Sequence, residues 1–237
     1  SDNVELGLNL VHDEIGDVVQ ETNLNADFAY KLPIQENATL ALGLKAGASF
    51  FSTDFSRLQL GSGAPATDPS FAQNINQTYP TIGIGAYYFS ESYYIGLSTP
   101  NLVASRHIED ENGVQRLGSE NTHYFLTGGY VFEPSSEFQI KPSFMARWVN
   151  GAPVSIDLNA NVRFYQRFEA GIGYRLDDAV TGMVNFEVTP GVRVGYAYDY
   201  TTSNLGEYNN GSHEIMLLFD FDIFGKLPSY RKSPRFF

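Results

Sequence analysis

The stretch HEIMLLFDFDIF, His213 to Phe224, places Asp220 and Asp222 inside what is otherwise an apolar run. In a β-strand successive side chains point to opposite faces, so Ile215, Leu217, Phe219, Phe221 and Ile223 share one face. Glu214, Met216, Leu218, Asp220 and Asp222 share the other. The run is two-faced, and whether it belongs to a soluble sandwich or to a membrane-spanning barrel depends on how often the pattern recurs and at what length.

It recurs from end to end. NVELGLNL sets Val4, Leu6, Leu8 and Leu10 against Asn3, Glu5, Gly7 and Asn9, and TNLNADFAY sets Leu24, Ala26, Phe28 and Tyr30 against Asn23, Asn25 and Asp27. VSIDLNANVRF opposes an apolar series from Val154 to Phe164 to Ser155, Asp157, Asn159, Asn161 and Arg163. The following segments carry Glu169, Arg175, Asn185, Glu187, Arg193 and Asp199 on their polar faces. There are about 12 such segments of about 9 to 11 residues, the length a tilted strand needs to cross a bilayer. Strands of soluble proteins are commonly nearer 5 or 6 residues. A soluble two-sheet sandwich is the competing reading.

Connections alternate in length as well. VTPGV, YQR, FEPSSE, FSES and KLPIQENA are mostly tight, turn-rich links, whereas Phe51 to Thr78, Pro100 to Asn121 and Thr201 to Gly211 include long ones. Transmembrane barrels keep short turns on the periplasmic side and longer loops outside, so both chain ends are expected to face the periplasm. The expected fold is an all-β, antiparallel up-and-down outer-membrane barrel over residues 1–224. Its polar lumen would be lined by Asp157, Arg163, Glu169, Arg175, Glu187, Arg193, Asp199, Asp220 and Asp222.

Composition agrees. Of 237 residues, 43% are hydrophobic, 14% aromatic and only 18% charged, with 18 Phe and 15 Tyr. That is rich in strand formers and poor in charge for a soluble domain. No segment has the ~18 uninterrupted apolar residues of a spanning helix, and the mean hydropathy of -0.21 is what alternating strands give. The absence of cysteine removes disulfides, thiolate metal sites and cysteine nucleophiles together. A net charge of -12 argues against a nucleic-acid partner, which requires a basic surface.

Several blocks resemble one family. LGLNLVHDEIGDVVQETNLNADFAYKLPI, LALGLKAGASFF, YYIGLSTPNL, HYFLTGGYVF, KPSFMARWVNGAPVSIDLNANVRF, YRLDDAVTGMVNFEVTPGVRVGYAYDYTTSNLGEYNNGSHEIMLLFDF and the terminal SPRFF are similar to PorP/SprF proteins over essentially the whole chain. The resemblance implies an outer-membrane protein of the type IX secretion system of Bacteroidota, which exports surface adhesins, some enzymes and gliding-motility components. It implies as partners the main translocon, a peptidoglycan-associated periplasmic lipoprotein, and an exported adhesin received through its C-terminal domain. A signal peptide and a short Asn-Pro-Ala-Tyr-type segment would precede Ser1. About two upstream strands would then raise the barrel to about 14, an even number as in single-chain bacterial barrels.

Candidate chemistry is sparse. His12, His107, His123 and His213 lack metal-ligand spacing, and nothing recommends a hydrolase built from His123 and a serine such as Ser119. GIG at Gly83 to Gly85 and at Gly171 to Gly173 lies inside strand patterns without the following helix that a phosphate site needs; these glycines are expected on the inner wall. The acidic runs Ile108 to Asn112 and Asp177-Asp178 supply too few oxygens for calcium and are expected as solvated loops. No catalytic residue, metal or cofactor is assigned.

The tail 225–237 differs from the rest. It carries Lys226, Arg231, Lys232 and Arg235, two prolines, and terminal Phe236 and Phe237. It reads either as an overhang or as a periplasmic docking element using Arg231, Lys232, Arg235, Phe236 and Phe237. The whole is expected to be a non-enzymatic secretion component whose loops Phe51 to Thr78 and Pro100 to Asn121 face cargo. A diffusion channel or small-molecule transporter is the alternative.

Overall fold

Alternating segments pair with their neighbours along the chain. In a computed structural model, residues 3–58, 73–103 and 121–221 are described in full and 106–111 and 114–119 as backbone. The strands are β1 (Val4–Ile15), β2 (Val19–Gln35), β3 (Ala38–Thr53), β4 (Asn76–Ser90), β5 (Tyr93–Thr99), β6 (Arg106–Glu111), β7 (Val114–Ser119) and β8 (His123–Tyr130). There follow β9 (Phe132–Ser135), β10 (Phe138–Val149), β11 (Ser155–Phe164), β12 (Phe168–Arg175), β13 (Ala179–Thr189), β14 (Val192–Thr201) and β15 (Ser212–Phe219). Thirteen form one antiparallel sheet in the order β1-β2-β3-β4-β5-β8-β10-β11-β12-β13-β14-β15, with the short β9 paired to β10.

This is the expected up-and-down wall, and within it neighbouring strands satisfy one another's backbone groups rather than leaving them to lipid. Three strands exceed the expected length: β2, β3 and β4 run 17, 16 and 15 residues. The region between β5 and β8, expected as a loop, contains β6 and β7 paired as a separate ribbon. The last strand ends at Phe219, so Asp220 lies beyond it.

The turns follow local chemistry. Between β11 and β12 the reversal at Tyr165 and Gln166 holds both residues at positive φ, +50° and +57°, the left-handed pair whose twist matches a two-residue hairpin. Between β13 and β14, Pro190 precedes Gly191, whose φ is +82°. A Cβ on Gly191 would lie 2.7 Å from the carbonyl oxygen of Asp220, and that same residue's N–H donates to the Gly191 carbonyl at 2.7 Å.

The two faces of the sheet are covered in the reverse of a soluble protein. Leu8 is 85% exposed and Ile172 69%, while Glu169 and Lys141 are each 4% exposed and Asn161 3%. Lys and Glu are ordinarily the last residues to be buried and Leu among the first. Among the described residues the buried apolar core is only Ala38, Phe89, Val131 and Ala179, and every substantial contact between strands joins sheet neighbours. Among the described residues no second sheet packs on the apolar face, which removes the sandwich reading. A wall with its apolar side outward and its charges covered is what lipid as solvent demands.

Aromatic residues edge the apolar face at both ends of the strands. Phe138 meets Phe164 at a tilt and Phe164 stacks on Phe168 at the short-turn end, and Tyr88 and Tyr93 meet there too. Tyr124 stacks on Trp148, centroids 5.3 Å apart, at the opposite end. Amphipathic rings of this kind favour the two membrane interfaces.

Candidate functional site

Register determines which charges meet. Asp157 of β11 faces Arg175 of β12, and Thr181 of β13 faces Asp199 of β14. The guanidinium of Arg175 donates to Asp157 Oδ1 at 2.7 Å through Nε, reaches Asp178 at 3.4 Å through Nη1, and lies 3.7 Å from Asp199. The Thr181 hydroxyl donates to Asp199. One cation thus ties together three carboxylates from β11, from the β12–β13 turn and from β14. The cluster also anchors the next link, because the N–H groups of Thr202 and Ser203 donate to the carbonyl of Asp178.

A second network lies toward the other end of the same strands. Arg163 donates to Gln139 Oε1 at 2.8 Å through Nε, and Gln139 donates to Glu133. Glu169, the register partner of Arg163, accepts from Asn161 Nδ2 at 2.5 Å, and Asn161 also reaches Met183 Sδ at 3.2 Å. Glu187 and Arg193, opposite one another across β13 and β14, approach to 4.0 Å. On the first strands Lys31 pairs with Glu5 at 2.8 Å and Ser49 donates to Glu21 at 2.7 Å. Charges so covered are stable only when paired or hydrogen-bonded, and these are.

Asp157, Arg163, Glu169, Arg175, Glu187, Arg193 and Asp199 therefore occur on one face: Arg175 joins Asp157 to Asp199, Glu187 approaches Arg193, and Arg163 and Glu169 bond to Gln139 and Asn161. Asp220 is exposed and follows the last strand rather than lying within it. Asp222 and the tail residues Arg231, Lys232, Arg235, Phe236 and Phe237 lie outside the described residues. Gln139 and Asn161, which bond to Arg163 and Glu169, and the buried Lys141 were legible only as strand parity; being uncharged, Gln139 and Asn161 carry no signal of their own.

The histidines do not converge. His12 shares a hydrogen bond of 2.8 Å with Thr22, His213 one of 2.8 Å with the Tyr196 hydroxyl, and the backbone N–H of His123 donates to Asn101. The side chains of His107 and Ser119 are not among those described. Among the described residues no three His, Asp or Glu side chains are grouped as a metal site. Both GIG runs lie inside strands, β4 and β12. Gly83 is there for contact: a Cβ would lie 2.7 Å from the Pro100 carbonyl oxygen.

The ends of the wall differ. Links 36–37, 91–92, 131–137, 165–167 and 190–191 lie at one end; links 16–18, 54–75, 100–122, 150–154, 176–178 and 202–211 lie at the other. The start of β1 and the end of β15 fall at the short-turn end. At the long-link end a polar recess of 260 Å³ opens between the β1–β2 turn and the residues after β3, lined by Asp17, Gln20, Asp54, Arg57 and Asn74 among others. It is shaped by a 3-10 turn at Phe55–Arg57, where Asp54 accepts from the Ser56 hydroxyl at 2.6 Å and pairs with Arg57 at 3.0 Å. These bonds, the Ser56 hydroxyl first, hold the Asp54 carboxyl below the usual aspartate range.

No curated protein is significantly similar in sequence. Solved structures that resemble the chain include the toluene transporter TbuX of Ralstonia pickettii, at 10% identity and a TM-score of 0.45, covering 87% of this chain and 68% of that one. A triple mutant of Rh. blastica porin matches at 13% identity and a TM-score of 0.39, over 92% of this chain and 100% of that one. The model of a family described as type IX secretion system membrane protein PorP/SprF matches residues 1–219. The blocks quoted above, the antiparallel up-and-down wall and its apolar outer face thus meet in one assignment: the chain belongs to the PorP/SprF family, outer-membrane proteins of the type IX secretion system.

Proposed function

We propose that this chain is a non-enzymatic barrel that assists export and cell-surface anchoring of an adhesin-type cargo, received through the cargo's C-terminal domain. It works beside the main translocon, and its short-turn end, where β1 begins and β15 ends, faces the periplasm and a peptidoglycan-associated lipoprotein. The observation that supports this reading most is the unequal pair of ends on a rigid wall. No link at one end is longer than the seven residues 131–137, whereas the three longest links, 54–75, 100–122 and 202–211, all lie at the other. Recognition on barrels is carried by extended links held by a rigid scaffold.

The charges of Asp157, Arg163, Glu169, Arg175, Glu187, Arg193 and Asp199 line the lumen and serve the wall. They neutralise one another rather than select an ion. Deleting the gene and restoring it with the same chain tests the role. Loss of one surface protein from intact cells, with its reappearance on complementation, is the expected result. Unchanged surface proteins together with steady ion conductance of the purified barrel in planar bilayers would replace the secretion role by that of a diffusion channel.

A further inference from the structure

The link between β5 and β8 holds a feature that anchoring in general does not explain. β6 and β7 pair antiparallel from Arg106 with Ser119 to Glu111 with Val114, and form a two-stranded sheet of their own. Among the described residues neither pairs with a third strand, so each has an outer edge of backbone N–H and C=O groups. A two-stranded ribbon alone is marginally stable in water, and a third strand is what makes such a sheet persist. Strand addition is also a recurrent way to bind an extended peptide: main-chain hydrogen bonds supply affinity and side chains supply specificity.

Charge identifies the edge and the occupant. β6 opens on Arg106 and His107 and closes on the acidic run Glu109, Asp110 and Glu111, a net acidic strand, while β7 contains Arg116 and no acid. The same end of the wall carries Asp13, Asp17, Asp177 and Glu207, whereas Arg57 and Arg175 there are engaged by Asp54 and by Asp157, and Arg147 reaches the Ser155 hydroxyl at 3.5 Å. Such a field repels anionic lipid headgroups and draws in a basic segment. Resting on the reading that this end faces cargo, we infer that the outer edge of β6 receives an extended segment of the secreted partner rich in Lys or Arg. The segment becomes a third strand, its cations set against Glu109 and Glu111.

The test uses the full chain in lipid nanodiscs and three synthetic probes: an alternating Thr-Lys heptapeptide, its Thr-Glu counterpart, and Thr-Lys peptides N-methylated at alternate residues in either register. The Thr-Lys peptide is expected to bind at least tenfold tighter than Thr-Glu, and one N-methylated register to lose at least tenfold. The variant Glu109→Lys/Glu111→Lys is expected to reverse the preference between Lys and Glu peptides. Equal binding of all probes, N-methylation without effect in both registers, or an unchanged preference in the variant would overturn the proposal. Purifying wild type and variant from native outer membranes separates this failure from that of the secretion role. A surface protein recovered equally with both overturns strand addition alone, whereas none recovered with wild type overturns the secretion role.

Discussion

Replacing Ile172 by arginine separates a lipid-facing wall from a water-facing one by a wide margin. Ile172 lies within β12, on the apolar face, 69% exposed. Its row mates across the sheet are Ala160 and Gly182, and aromatic residues flank it along the strand at Phe168 and Tyr174, so it sits between the two interfaces. In water an exposed Ile→Arg change away from special features costs within about 0.5 kcal/mol. At the middle of a bilayer the same change on a barrel's outer face costs about 2–4 kcal/mol, which is roughly 30- to 1,000-fold in the folding equilibrium. Reversible folding into lipid vesicles, titrated with urea, measures the difference. Ile172→Ala serves as control, because it removes apolar contact without adding charge. A cost of about 3 kcal/mol is expected for arginine. A cost within about 0.5 kcal/mol of wild type would refute a lipid-facing Ile172 and with it the reading of the whole apolar face.

Other expectations follow from individual contacts. Arg175→Met leaves Asp157, Asp178 and Asp199 without their shared cation and is expected to cost about 1–3 kcal/mol in the same assay, less than for a fully buried pair because the site is partly hydrated. Gly83→Ala pushes a Cβ against the Pro100 carbonyl and should destabilise by about 1–3 kcal/mol, whereas Gly182→Ala meets nothing within 4 Å and should gain about 0.5 kcal/mol. The single Trp148, on the apolar face beside Tyr124, is expected to be quenched more by lipids carrying a quencher near the headgroup than by those carrying it at the chain end, and little by aqueous iodide. Because the folded state lowers the Asp54 pKa, its contribution to the turn at Phe55–Arg57 is complete above the ordinary aspartate pKa and is lost as pH falls through the lower folded value. Amide exchange at Ser56 and Leu58, measured across acid pH, should accelerate there and be insensitive to pH in Asp54→Asn after correction for intrinsic rates.

The wall was readable from sequence because each strand obeys a period of two and because lipid outside and charge inside keep both halves of the pattern strong. Asp157, Arg175 and Asp199 stand out for the same reason: each is a charge at a parity shared with polar residues. What could not be read is which of them meet, since register is set across strands and not along them. Arg175 takes Asp157 from the preceding hairpin and Asp199 from two strands on. Strand ends were also opaque. The alternation of Phe219 and Asp220 continues past the end of β15, because Val192, at the start of β14, is already opposite Phe219. The ribbon of β6 and β7 was hidden by its charged and polar sequence, RHIEDE and VQRLGS, in which Ile108 and Val114 are the only β-branched residues and no aromatic occurs.

Purification from the native outer membrane in mild detergent, through a tag in an outer link, shows whether this barrel holds a secreted protein at the cell surface. Mass spectrometry of what copurifies should identify one large surface protein together with a periplasmic lipoprotein. A barrel recovered without either, and conducting ions when placed in a planar bilayer, would contradict it.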